Sequence, residues 1–146
     1  MNENLIYLAQ TDTTAGFLSR DAKYINRVKR RDEETPLIAT FSSFSSLKTI
    51  SRVPQRFKKD IRRASKTTYI LPSALSFRVA KEPNHKAFLE RFGYLFSSSA
   101  NVHKKKFDLE FALASADIVV IDHRGVFDAP PSTILKINNV KKRKER

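Results

Sequence analysis

Residues 5–16, LIYLAQTDTTAG, set a pattern from which the rest of the chain can be interpreted. The apolar run Leu5–Ala9 predicts a short buried strand. The polar segment Thr11–Gly16 follows it directly and predicts a turn at the end of that strand. Hydroxyl groups at the carboxyl end of a strand can hold a small polar ligand, but an ordinary turn uses the same residue types. Taken alone, the segment leaves both interpretations open.

Beyond this opening, strand and helix patterns are mixed and do not alternate strictly. Apolar or alternating runs predict strands over residues 36–41, 67–71, 74–80, 94–97, 117–122 and 132–137, with 117–122 expected to be buried. Helical spacing predicts helices over residues 21–28, 47–53, 55–65, 84–92 and 108–115. The mixture is typical of an α/β or α+β sheet with parallel and antiparallel pairs. We expect one domain over residues 1–140 and a basic C-terminal tail over residues 141–146.

The net charge of the chain points to polyanionic partners. Its 146 residues include 28 Lys and Arg against 15 Asp and Glu, a formal charge of +13. Such an excess attracts nucleic acid, nucleotides or anionic lipid. The absence of Cys excludes disulfides and thiolate metal sites, and the three His lack metal-ligand spacing, so we expect no protein metal site. No apolar run suits a membrane span and no secretory signal is evident, so a cytoplasmic location is expected.

Part of the excess charge lies on the predicted helix over residues 55–65 and just after it. Its cations lie mostly off the apolar face and could track nucleic-acid phosphates: Arg56, Lys58, Lys59, Arg62, Arg63 and Lys66. A solvated surface explains the same run equally well.

Four polar clusters could carry chemistry. They are Thr11–Gly16, Lys29–Arg31, Ser97–Asn101 and Pro131–Thr133. There is no Gly-rich phosphate loop and no G-x-S-x-G elbow, so an enzyme built on these clusters would work by positioning and electrostatics. Each cluster alone is also a common turn or helix end.

The order of the clusters is more specific than any one of them. T-D-T-x-x-G, K-x-R with a following P-L-I, F-R-V, S-A-N and P-S-T-I succeed one another between residues 6 and 137. This succession resembles the YrdC-like family, which comprises the threonylcarbamoyl-AMP synthases and a related domain of the hydrogenase-maturation carbamoyltransferases. The resemblance implies a twisted mixed parallel and antiparallel α/β sheet with flanking helices and a basic concave face.

The resemblance also implies an activity. Family members form threonylcarbamoyl-AMP and pyrophosphate from L-threonine, bicarbonate and ATP, and the product serves threonylcarbamoyladenosine modification of tRNA. ATP would be a substrate, with Mg²⁺ bound through its phosphates. Further implied partners are tRNA or another RNA on the basic face and a tRNA-modifying protein.

Matching the motifs assigns residues to the two sides of a pocket. The resemblance implies that Lys29, Arg31 and Asn101 contact ATP. It implies that four residues line the threonine side: Thr13, Arg78, Ser99 and Ser132. The family has a further nucleotide-contacting arginine after the P-S-T strand, for which Arg143 or Arg146 could substitute here.

Two functions of different classes remain at this point. The leading hypothesis is a short threonylcarbamoyl-AMP synthase, because RNA binding does not need K-x-R, S-A-N and P-S-T in this order. The alternative is a non-catalytic module of the same fold that binds double-stranded RNA or tRNA, which the charge of +13 favours. A carbamoyl-transfer domain of the hydrogenase-maturation branch is a weaker third interpretation.

Overall fold

One nine-stranded sheet runs through the computed structural model, which describes residues 1–146. In chain order the strands are β1 (Tyr7–Gln10), β2 (Ala15–Ser19), β3 (Ile38–Phe41), β4 (Thr67–Ile70), β5 (Ser76–Val79), β6 (Tyr94–Ser99), β7 (Ile118–Val119), β8 (Thr133–Ile137) and β9 (Lys142–Lys144). Their order across the sheet is β7-β1-β2-β6-β3-β5-β4-β8-β9. The pairs β1–β7, β3–β5 and β4–β8 are parallel, and the other pairs are antiparallel. The predicted α/β fold with a mixed sheet in one domain is therefore confirmed.

Five short helices flank the sheet. They are α1 (Ala22–Val28), α2 (Phe44–Ile50), α3 (Lys58–Arg63), α4 (Pro83–Glu90) and α5 (Leu109–Ser115). Side-chain caps fix where several begin, because an oxygen accepts from an otherwise unpaired amide of the first turn. Asp21 accepts from the amide of Tyr24, and Ser43 accepts from the amide of Ser46. No helix combines the length and apolar character needed to cross a membrane.

The two faces of the sheet differ in how completely they are covered. One face carries aromatic side chains, including Phe17 and Phe77, that pack in hydrophobic cores beneath α1, α2, α3 and α5. On the opposite face, Leu18 and Leu95 pack with residues of α4. Beyond α4 this face turns polar, because the register places Ser97 beside Leu18 and Arg78 beside Thr40. The uncovered polar part is where a ligand can reach the sheet.

Three sequence predictions need correction. The turn predicted over Thr11–Gly16 ends early, since β2 begins at Ala15 and pairs with β1. A Cβ on Gly16 would lie 3.1 Å from the Ser98 carbonyl oxygen, so glycine permits this close strand contact. The strand predicted over 117–122 shortens to β7 at the sheet edge, where Ile121 is 76% exposed rather than buried. The helix predicted over 55–65 divides into a 3₁₀ turn, Gln55–Phe57, and α3.

The basic segment 141–146 contains strand β9. Lys142, Arg143 and Lys144 pair with Ile137, Lys136 and Leu135 of β8. The boundary at residue 140 stays a prediction, although the pairing fixes the end of the chain against the sheet.

Candidate functional site

A cavity of about 270 Å³ opens on the uncovered part of the sheet. Its wall combines the β1–β2 loop, the end of β6, Arg78 of β5 and the start of β8. Five of the seven residues assigned to the pocket by resemblance line it: Thr13, Arg31, Arg78, Ser99 and Ser132. The wall contains no Asp or Glu, and Arg146 is its third arginine. We call it the arginine cavity, after Arg31, Arg78 and Arg146.

Arg78 is the most deeply buried of the three arginines, with 5% of its surface exposed. It donates from Nη1 to Oγ1 of Thr13 over 3.1 Å, whereas its Nε has no partner. Burial lowers the pKa of Arg78, and Asp12 offsets part of that effect. A guanidinium that donates only one hydrogen bond to a neighbouring side chain keeps donors for an anion in the cavity.

The other two arginines are held by neighbouring side chains and backbone. Arg31 donates from Nε to Oδ1 of Asn26 over 2.7 Å and from Nη2 to the Ser98 hydroxyl over 3.3 Å. Arg146 donates from Nε to the carbonyl of Ser132 over 3.0 Å. These bonds use part of each guanidinium and fix its orientation, which favours binding a ligand in one geometry.

Ser132 adds a hydroxyl between two partners. Its Oγ lies 2.8 Å from the Thr68 hydroxyl and 3.4 Å from Nη2 of Arg146. Thr68 was not identified from the sequence, since it reads only as a strand residue. The parallel pairing of β4 and β8 sets Thr68 beside Ile134, close to Ser132.

Lys29 and Asn101 do not line the cavity. Lys29 is 1% exposed, and its Nζ donates to the carbonyls of Ser99 and Asn101 over 2.6 and 2.7 Å. Burial, together with Arg31, lowers the pKa of the Lys29 amine to about 7. The side-chain amide of Asn101 donates to the carbonyls of Val102 and Lys105. Both residues brace the segment after β6 from behind the wall, and their assignment to ATP stays a prediction.

A second cavity, of about 530 Å³, lies on the other side of the β1–β2 loop. It shares Thr11, Thr13 and Pro131 with the arginine cavity. Lys66, Lys81 and Arg124 bring positive charge to it, and Asp12 and Glu82 bring negative charge. The two cavities therefore meet at the T-D-T motif.

The predicted nucleic-acid residues lie outside the arginine cavity. Arg56, Lys59, Arg62, Arg63 and Lys66 are exposed, Lys58 is half-buried, and only Lys66 borders the second cavity. Strand β9 lies beside them, because Nζ of Lys142 is 3.1 Å from Oδ2 of Asp60 in α3. We call the six cations together with Lys142, Arg143 and Lys144 the α3–β9 surface.

The roles of two residues near the site could not be predicted from the sequence. His85 and Arg124 hold the β1–β2 loop from behind, the first through Asp12 and the second through backbone carbonyls. A lone His on a helix and an Arg in a turn read as ordinary residues. Only the folded chain places them against the T-D-T motif.

Comparisons with known proteins identify the family. The family model described as telomere recombination, Sua5_yciO_yrdC, matches residues 4–145. No curated protein sequence matches the chain.

Solved structures share the fold at low sequence identity. P. abyssi Sua5 complexed with L-threonine is 17% identical, with a TM-score of 0.78 over 97% of this chain and 50% of that chain. E. coli YciO is 17% identical, with a TM-score of 0.75 over 98% of this chain and 82% of that chain. Full-length HypF in its phosphate- and nucleotide-bound form is 15% identical, with a TM-score of 0.75 over 97% and 26%. This chain thus spans about half the length of that Sua5. Because the family model matches residues 4–145, the chain belongs to the Sua5, YciO and YrdC family.

Proposed function

We propose that this chain is a threonylcarbamoyl-AMP synthase, which forms threonylcarbamoyl-AMP and pyrophosphate from L-threonine, bicarbonate and ATP. The observation that carries the proposal is the arginine cavity, in which three guanidinium groups from separate parts of the chain meet without a carboxylate. Such a wall favours a ligand with several negative charges. The carboxylate of threonine and the phosphates of ATP would together supply such negative charges.

The threonine side of the proposal centres on Arg78. Its buried guanidinium would pair with the amino-acid carboxylate, while Thr13 and Ser132 offer hydroxyls to the remaining polar groups. The related Sua5 was solved with L-threonine, which supports an amino-acid ligand for this fold.

The phosphate side would use Arg31 and Arg146. Both line the cavity, and both carry a fork-shaped donor set that matches phosphate oxygens. The related HypF was solved in a phosphate- and nucleotide-bound form. Since the wall lacks carboxylates, Mg²⁺ would arrive with ATP and be held by phosphate oxygens and water.

The size of the arginine cavity indicates how a nucleotide would lie. At about 270 Å³ it is slightly below the ~300–1,000 Å³ range of small-molecule sites. In the proposal, threonine and the reacting phosphate occupy this cavity, and the rest of ATP extends past the β1–β2 loop into the second cavity. The residues common to both cavities support this arrangement.

The chemistry needs no protein nucleophile. The threonine amine attacks the bicarbonate carbon, water leaves, and a carbamate results. A carbamate oxygen then attacks the α-phosphorus as the bond to the leaving pyrophosphate breaks. Holding the reactants in line supplies much of the rate, and the arginines stabilise charge on the phosphorus and the leaving group.

A second candidate function, RNA binding, is favoured by the α3–β9 surface. Its cations come from two elements that lie side by side, which makes a broader basic area than α3 alone. Non-specific contact with phosphates needs only such exposed cations. tRNA or double-stranded RNA would bind here with or without catalysis in the cavity, and a tRNA-modifying protein would be a further partner.

Incorporation of radiolabelled bicarbonate with ATP and L-threonine tests the proposed function. We expect label in an adenylate and one pyrophosphate released per product, with both lost in Arg78→Met. Arg63→Met is the matched control, because Arg63 is exposed and has no ion pair. A wild-type protein that binds tRNA but incorporates no label would favour the RNA-binding module instead.

A further inference from the structure

The β1–β2 loop is anchored from behind by a buried carboxylate–imidazole pair. Oδ1 of Asp12 lies 2.8 Å from Nδ1 of His85, and the two side chains are 2% and 0% exposed. Oδ2 of Asp12 accepts from the amide of Lys81 over 2.8 Å, and Oδ1 accepts from the amide of Glu82 over 3.3 Å. The carboxylate at the centre of the T-D-T motif therefore points away from the arginine cavity and fixes the loop to the start of α4.

The same loop is held a second time through its backbone. Arg124 donates to the carbonyls of Gln10 and Thr11 over 2.9 and 3.0 Å. It also pairs with Glu82 over 2.9 Å, and Glu82 accepts from the amide of His85. Loop, helix start and Arg124 thus form one closed network.

This network determines where the neighbouring hydroxyl lies. Thr13 follows Asp12 directly, lines the arginine cavity and accepts from Arg78. We propose that Asp12 and His85 are positioning residues that hold the Thr13 hydroxyl against Arg78, and that anion binding in the arginine cavity requires His85 to be neutral. The inference rests on the proposed function, because it takes the arginine cavity as the substrate site.

The surroundings of His85 define its protonation state. Two groups compete for Nδ1: a carboxylate oxygen of Asp12 at 2.8 Å and the backbone N–H of Asp12 at 3.1 Å. We infer a proton on Nδ1, because the charged carboxylate is the closer and stronger partner. Nε2 is buried without a partner, so a second proton there would be an unpaired donor. The charged groups that act on the ring are Asp12 from the loop, Arg78 from β5 and Arg124 after β7. Glu82, just before α4, accepts from the backbone amide of His85 and pairs with Arg124.

These groups set the direction of the pH dependence. Burial lowers the pKa of His85 below 6.5, although the bond to Asp12 offsets part of that shift. Burial alone would raise the pKa of Asp12, but His85 and the Lys81 amide bring it below its usual value. Both groups therefore stabilise the fold above their unfolded pKa values and lose that contribution as the pH falls. Weaker anion binding is expected on the acid side of pH 6.5.

Pyrophosphate binding measured by calorimetry between pH 5 and 8 tests the inference without turnover. His85→Leu removes the donor, whereas His85→Asn keeps an N–H near the Nδ1 position and does not titrate. We expect His85→Leu to weaken binding ~10-fold or more, and His85→Asn to remain within about threefold of wild type at pH 7.5. Pyrophosphate itself titrates in this pH range, and that titration affects wild type and His85→Asn equally. An additional loss of affinity at acid pH should therefore appear only in the wild-type protein.

Phe88→Leu is the control for lost packing, because Phe88 is a buried residue of α4 that packs on Tyr7 and Phe92. It should lower the free energy of unfolding in urea and leave pyrophosphate affinity unchanged. A Phe88→Leu loss equal to that of His85→Leu, or matching pH profiles for wild type and His85→Asn, would overturn the inference.

Long-range ¹H–¹⁵N spectra of the wild-type ring supply a readout that needs no variant. They should show a protonated Nδ1 and a bare Nε2 at pH 7.5, and the opposite tautomer would contradict the proposal. If the protein binds pyrophosphate but forms no adenylate, the proposed function fails while these measurements still decide the role of His85. If wild-type protein binds no pyrophosphate, the positioning role is overturned whatever the adenylate assay shows.

Discussion

The arginine cavity and the α3–β9 surface are both rich in cations, but they hold them in opposite ways. In the cavity, Arg31 and Arg146 are oriented by hydrogen bonds that they donate to neighbouring residues, and Arg78 is buried and donates only one hydrogen bond, to Thr13. On the surface, every cation except the half-buried Lys58 is exposed; Arg62 contacts Phe44, and Lys142 and Arg143 pair with Asp60 and Glu145. Pre-oriented, partly desolvated guanidinium groups select a ligand by geometry, whereas exposed cations attract any polyanion.

This difference explains why net charge is a poor guide to the site. Only three of the 28 Lys and Arg line the arginine cavity. The charge of +13 therefore describes the outer surface, and the cavity chemistry depends on which cations are buried and what holds them. The predictions below test this distinction, beginning with the largest expected effect.

Replacing Arg78 by Met should affect the cavity most. Adenylate formation, measured as pyrophosphate release, should fall at least ~100-fold, or about 3 kcal/mol of transition-state stabilisation. The reason is that the variant loses the buried guanidinium that, in the proposed function, would pair with the threonine carboxylate. Arg63→Met on the α3–β9 surface should retain wild-type turnover. Equal losses in the two variants would mean that the cavity and the surface are not distinct.

Replacing Arg31 by Met should weaken ATP binding rather than abolish it. Loss of hydrogen bonds to a charged ligand costs about 1.5–3 kcal/mol, and calorimetry with ATP measures the change directly. Unfolding in urea provides the control, since Arg31 also bonds to Asn26. Unchanged ATP affinity in a folded variant would mean that Arg31 does not bind ATP and is only a cation that follows α1.

Replacing Lys29 by Met separates a ligand contact from a structural one. Its amine is used by the oxygens of Ser99 and Asn101, so the variant leaves buried acceptors unpaired. We expect the free energy of unfolding to fall by about 1–3 kcal/mol in urea titrations. A variant with wild-type stability and weakened ATP binding would instead support the contact implied by the K-x-R motif.

The sequence predicted which segments meet at the site better than it predicted what each side chain does there. The family resemblance carried by the motif order implied that Thr13, Arg78, Ser99 and Ser132 line one pocket, and all four line the arginine cavity. It could not show that Lys29 lies behind the wall, since spacing along a chain does not reveal depth. Nor could it pair Asp12 with His85, 73 residues away.

Two elements that the sequence predicted wrongly, β2 and residues 117–122, also depend on contacts that exist only in the folded chain. Strand β2 was hidden because Ala15 and Gly16 have low strand propensity, and the close contact with Ser98 that requires glycine exists only in the sheet. Residues 117–122 read as a buried strand because their composition is apolar, yet β7 is an edge strand and Ile121 is exposed. Tertiary neighbours, rather than local pattern, decided both cases.

The smallest effect per residue is expected on the α3–β9 surface, where it appears in salt dependence rather than in affinity at one salt concentration. Charge reversal at Lys59, Arg62 and Arg63 should make the log–log slope of RNA binding against salt shallower by about two to three, since each neutralised phosphate contributes roughly 0.7 to 0.9. Filter binding of tRNA at several salt concentrations measures the slope, and pyrophosphate release should remain near wild type. Arg78→Met is the reciprocal control, because it should leave the slope unchanged. An unaltered slope in the triple variant would place RNA elsewhere on the molecule, whereas a parallel loss of pyrophosphate release would show that the two cationic regions act together.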